Sequence, residues 1–70
     1  MIKVGDKVAY DVAWDVQYGE VLSTKGILYR ELLISLENGG SVIMPESLCM
    51  KLTDEEYERL QELSKKGKNV

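Results

Sequence analysis

Tyr10, Trp14 and Tyr18, with Asp11 and Asp15 between them, are the residues whose types and spacing best suit recognition chemistry. Aromatic faces attract cations and neighbouring carboxylates reinforce the pull, so a loop carrying this group between two strands would form a cage for a cationic ligand. The competing reading packs Tyr10 and Tyr18 in or around the core of a small protein. Trp14, in a polar and loop-like setting, would then remain as an interface anchor. A second group lies towards the carboxyl end. Glu55, Glu58 and Glu62 recur at spacings of three and four, making an acidic helical ridge suited to imitating nucleic-acid phosphates or meeting a basic protein patch. Beside it, Tyr57, Leu60 and Leu63 form a narrow apolar stripe for packing on the sheet or on a partner. Solvated carboxylates and core packing are the ordinary alternatives for both features. The candidate binding set is therefore Tyr10, Trp14, Asp15, Tyr18, Glu55, Glu58 and Glu62.

Chemistry of other kinds finds little support. The chain has 70 residues, no histidine and one cysteine, so the usual transition-metal ligands are missing and no disulfide closes within one chain. The serines at 23, 35, 41, 47 and 64 have no histidine to activate them. Gly39-Gly40 belongs to a hairpin and does not precede a helix, so no glycine loop cradles phosphate. Cys49 lies between Leu48 and Met50, where a free cysteine behaves as a small buried hydrophobe. The expectation is a non-enzymatic protein with no cofactor and no metal.

Hydrophobic residues make up 44% of the chain and charged residues 30%, a globular composition. No apolar run approaches the roughly 20 residues of a membrane span, and residues 1–5 contain no apolar stretch of signal-peptide length. A cytoplasmic setting without membrane contact is expected. The net charge is −3, with five basic and seven acidic side chains in residues 1–52 and four basic and five acidic in residues 53–70. Neither part is a basic patch, which disfavours nucleic acid as a partner.

The elements that must position these groups are mostly short strands. After the Gly5-Asp6 turn, residues 7–11 alternate, with Val8 and Tyr10 on one face and Lys7, Ala9 and Asp11 on the other. Residues 11–17 read as a long loop or a bulged strand extension. Strand character resumes over residues 18–23, with Gly19 marking a bend. A turn at 23–26 leads to a long strand at 27–36, in which Leu32, Ile34 and Leu36 share a face. Asn38-Gly39 predicts a tight hairpin with positive φ at both residues. The return strand over 41–44 stops at Pro45, a short helical turn covers 46–48, and a last strand covers 49–52. The final helix has full start signals: Thr53 as N-cap, Glu56 completing a capping box, and Leu52 and Tyr57 as a hydrophobic staple. Gly67 is the expected C-cap.

The fold class so read is mainly β, a five-stranded small barrel over residues 1–52. A helix over 53–67 packs on the barrel or on a partner, and residues 68–70 form a frayed tail. The order Val4-Gly5-Asp6-Lys7-Val8, Gly19-Glu20-Val21, a long strand, Gly39-Gly40 and Val42-Ile43-Met44-Pro45 resembles the SH3-like barrels of the Tudor and KOW group. It also resembles the RNA-polymerase-interacting domain of CarD-type transcription regulators. The resemblance covers residues 2–52 and implies the scaffold, with a polymerase or nucleic-acid association as the function it would suggest. The longer 11–17 segment and the missing helical DNA-binding domain depart from the CarD pattern. The chain is also similar to the plasmid-type SH3-like dihydrofolate reductases at Gly40-Ser41-Val42, but Ile43-Met44 stand where that family places its pore glutamine and tyrosine. The leading expectation is a protein-interaction module, monomeric or homodimeric, of the kind found as an accessory or regulatory protein of a bacterium or of a mobile element such as a phage. The alternative is a nucleic-acid-associated or polymerase-associated module, which needs Lys3, Lys7, Lys25, Arg30 and Lys51 on one face.

Overall fold

The computed structural model describes residues 1–13, 15–37 and 39–68, with side chains through Lys65. Five strands and a helix follow in chain order: β1 (Lys7–Val12), β2 (Asp15–Lys25), β3 (Glu31–Ser35), β4 (Ser41–Pro45), a 3-10 turn (Glu46–Leu48), β5 (Cys49–Leu52) and α1 (Asp54–Lys68). All neighbouring strands are antiparallel, in the spatial order β4-β3-β2-β1-β5. The mainly β fold with a single C-terminal helix is therefore as read from the sequence. The sheet curls without closing into a barrel, since β4 and β5 are its two ends and only the 3-10 turn joins them.

β2 makes the curl. Its first half pairs with β1, from Asp15 opposite Val12 to Glu20 opposite Lys7, and its second half pairs with β3, from Val21 opposite Ile34 to Lys25 opposite Glu31. Between the halves a register shift at Val21/Ser23 makes Leu22 an extra residue, and such a bulge bends and twists a strand. Gly19 permits the bend. A Cβ there would lie 1.9 Å from the Ser35 carbonyl oxygen and 2.7 Å from Ile34 Cγ2, so no other residue fits without displacing β3.

The alternation in each strand points one set of side chains into the curl. Val8, Val21, Leu32 and Ile34 are wholly buried there, joined by Ile2 and Tyr10 and flanked by Leu36, Val42, Met44 and Cys49. Backbone bonds at Gly40 and Glu46 set the pairing side of β4, so Ser41, Ile43 and Pro45 turn their main-chain groups to the open edge. Pro45 lacks an N–H on the side where no strand needs one, which is how proline is tolerated in a sheet.

Four local expectations are corrected. Residues 11–17 are a strand extension without the expected bulge, not a long loop: β1 and β2 run on to the Val12–Asp15 pair, and Ala13 just beyond β1 has φ of 55°. The strand expected over 27–36 begins only at Glu31, because β2 continues through Lys25 and the turn moves to residues 26–30. The β3–β4 connection is one residue longer than a two-residue turn: Leu36 N–H donates to Gly40, and Gly39, with φ of 91°, donates back to Leu36. That register places Ile34 opposite Val42 and Leu32 opposite Met44, keeping four apolar side chains on the core face; a one-residue slip would turn β4 over. The helix passes through Gly67 to Lys68, so Gly67 is no cap. Asn38, Asn69 and Val70 lie outside the described residues.

Candidate functional site

The expected aromatic group does not assemble. Tyr10 stands opposite Gln17 and Ala9 opposite Tyr18, so the period of two sends the tyrosines to opposite faces of the sheet. Tyr10 is buried in the core beside Cys49, and that burial pushes its phenol upward, with the Cys49 thiol adding to the shift. Tyr18 lies on the outer face beneath α1, where its ring meets Tyr57 edge-on at 5.5 Å and 86°. Its hydroxyl donates to Glu37 Oε1 at 2.6 Å, and partial burial, followed by that carboxylate, raises its pKa. Lys7 completes the cluster, with Nζ 3.0 Å from Glu20 and 5.4 Å from the Tyr57 ring centre. Tyr18 thus serves to seat the helix. Trp14 lies outside the described residues.

Asp15 is exposed at the start of β2 and turned on its own strand, accepting from Val16 N–H at 3.0 Å and Gln17 Nε2 at 3.2 Å. An open cleft separates this strand end from the helix, lined by Asp15, Tyr18, Leu36, Glu37, Leu60 and Leu63 among others. Tyr57 and Leu60 are half-buried and Leu63 is mostly exposed, so the apolar stripe meets the sheet with its first part only. Glu55, Glu58 and Glu62 all face solvent.

The opposite end of the molecule carries a surface that sequence reasoning missed. Between β2 and β3, Ile27, Leu28 and Tyr29 are 94%, 90% and 89% exposed, three consecutive large apolar side chains in water. The loop beneath them is firmly built. Gly26 takes φ of 98°, and a Cβ there would come within 2.1 Å of the Tyr29 carbonyl oxygen, so the loop folds tightly back on a glycine. Arg30, half-buried, closes it from the other side: Nη2 donates to the Ile2 carbonyl at 2.8 Å, and Nη1 is 3.3 Å from Glu46 Oε2 in an ion pair not aligned as a hydrogen bond. Glu46 N–H donates to the Arg30 carbonyl at 2.8 Å. A groove runs beside the loop, with Met1, Ile2, Pro45, Cys49 and Met50 among its lining residues. The Cys49 thiol is raised by burial, and it points to the Pro45 carbonyl at 3.5 Å, an environment that keeps it protonated.

Three of the candidate basic residues stand beside carboxylates. Lys7 pairs with Glu20, Arg30 with Glu46, and Lys51 with Asp6 at 3.5 Å. Lys25 stands opposite Glu31 across β2 and β3. Among the described residues, no three carboxylate or thiol side chains converge as a metal site, and no helix is long and apolar enough to cross a membrane. Compared with protein-family models, curated proteins and solved structures, the chain matches none of them.

Proposed function

We propose that this chain is a non-enzymatic protein-interaction module whose contact surface is the loop carrying Ile27, Leu28 and Tyr29. The carrying observation is the near-complete exposure of those three side chains on a loop anchored by Gly26 and Arg30. Apolar side chains scattered singly over a surface need no explanation, but a contiguous cluster beside a groove is the usual mark of an interaction site. An anchored loop also loses little conformational freedom on binding, so more of the contact energy appears as affinity. The small curled sheet is then a mount for the loop, in keeping with the Tudor-like and KOW-like resemblance, and the role suits a cytoplasmic accessory or regulatory protein of a bacterium or phage.

The nucleic-acid-associated or polymerase-associated reading is less well supported. Three of the five basic residues it needs, Lys7, Arg30 and Lys51, each face a carboxylate, which reduces the charge they offer for releasing counterions from a phosphate backbone. Panning a random-peptide display library against the immobilised protein tests the proposal. The expected binders are apolar and aromatic peptides whose retention is lost with Leu28→Asp and unaffected by Glu62→Lys. Peptides held equally by wild type and Leu28→Asp, or retention of DNA or RNA that fades with salt, would refute it.

A further inference from the structure

We infer that the occupant of this surface is a second copy of the same chain, related by a two-fold axis, with the loop of each copy seated in the groove beside the loop of the other. The inference rests on the reading of the Ile27–Tyr29 segment as a contact surface and names its partner.

Shape supplies the first argument. A projecting apolar loop and an adjacent groove, walled by Met1, Ile2 and Met50 together with the charge-paired Arg30, Glu46 and Lys51, occur on one face, and a two-fold interface requires a patch that complements itself in this way. Area supplies the second. Met1, Ile27, Leu28, Tyr29 and Met50 all border the groove and are all largely exposed. Wholly covered, these five side chains would supply much of the roughly 800 Å² that one partner contributes to a standard-size interface.

Charge supplies the third. Around the loop the charges are matched pair by pair: Lys25 opposite Glu31, Arg30 with Glu46, Lys51 with Asp6. Asp11, Asp15 and Glu37 stand at the other end of β2, and the acidic residues of α1 also lie away from the groove lining. Two copies meeting loop to loop would bring near-neutral ends together and hold their acidic ends apart. A strongly basic or acidic partner would find nothing here to steer it.

Sedimentation equilibrium of the full chain from about 1 μM to about 1 mM spans the affinities expected of such an interface. The inference predicts a mass rising with concentration to twice the 7.9 kDa of one chain. Leu28→Asp on the loop and Met50→Asp beside the groove should each weaken association at least about tenfold, while circular dichroism stays that of the wild type. Glu62→Lys should leave association unchanged. A wild type that remains monomeric throughout overturns the inference, as does a dimer indifferent to both aspartate variants. Binding to phosphatidylcholine vesicles in place of self-association also overturns it. If the monomeric protein still selects peptides in a Leu28-dependent manner, only the second copy is removed and the contact-surface reading stands.

Discussion

Gly19 and Ala13 show how single backbone positions set the shape of this molecule. Gly19 sits where β2 turns over β3, and the 1.9 Å approach of a hypothetical Cβ to the Ser35 carbonyl leaves no room for a methyl group. Gly19→Ala should cost about 3 kcal/mol, read from denaturant unfolding, since overpacking against backbone has nowhere to relax. Ala13 is the reverse case. It holds φ of 55° in the β1–β2 connection, a conformation that disfavours a residue with a Cβ. Ala13→Gly should therefore stabilise the protein by about 0.5–1 kcal/mol in the same assay. The sequence marked Gly19 as a bend, whereas the register shift falls at Leu22 and Gly19 serves the close approach of β3, which a lone glycine in a strand does not distinguish. The strain at Ala13 was not legible, because its φ follows from the Val12–Asp15 pairing, a long-range outcome that alanine does not advertise.

At the scale of elements, α1 was the most legible part, and its start is built as the residues require. Thr53 N–H donates to Glu56 Oε1 at 2.9 Å, and Glu56 N–H donates to Thr53 Oγ1 at 3.1 Å. Thr53→Ala should destabilise the protein by about 1 kcal/mol, the usual worth of an N-cap, measurable in a thermal melt. The capping bonds hold the Glu56 carboxyl below its ordinary value, led by the Thr53 backbone donor, and Asp6 is lowered likewise by the Lys3 N–H. Both groups have folded pKa values below their unfolded ones. Their stabilisation is complete above the unfolded carboxylate range, about pH 4, and is lost as pH falls through the folded values. Unfolding midpoints measured from pH 7 down to pH 3 should fall at the acid end, and less steeply in Glu56→Gln, which removes that titrating carboxyl. The loop between β2 and β3 was the least legible element. Only Arg30-Glu31 separate Ile27-Leu28-Tyr29 from Leu32-Leu33-Ile34, and so apolar-rich a stretch reads as one strand. What removes it from the sheet is the tight fold-back of Gly26 on Tyr29, which is local, together with the non-local reach of Arg30 to Ile2 and Glu46. The β3–β4 register was hidden for a related reason, since Asn-Gly favours a two-residue turn locally while the core face of β4 demands the longer one.

Across the whole molecule, which measures 43 × 24 × 21 Å, the two ends differ in kind. One end gathers Asp11, Asp15, Glu37 and the open cleft beside α1; the other presents charge-matched ion pairs around an apolar loop. The fold class followed from strand spacing, turn residues and capping signals, whereas the site did not, because exposure of an apolar segment is a property of the assembled surface. If Ile27, Leu28 and Tyr29 exist for contact, they contribute almost nothing to folding of the isolated chain, unlike the buried Leu32 and Ile34 a few residues later. Thermal unfolding of the variant carrying Ile27→Ser, Leu28→Ser and Tyr29→Ser together, in dilute solution where no partner is bound, tests this most directly. A midpoint within about 4 °C of the wild type is expected, corresponding to less than about 1 kcal/mol for a domain of this size. A fall of about 15 °C or more would mean that these side chains belong to the core, and would contradict the contact role.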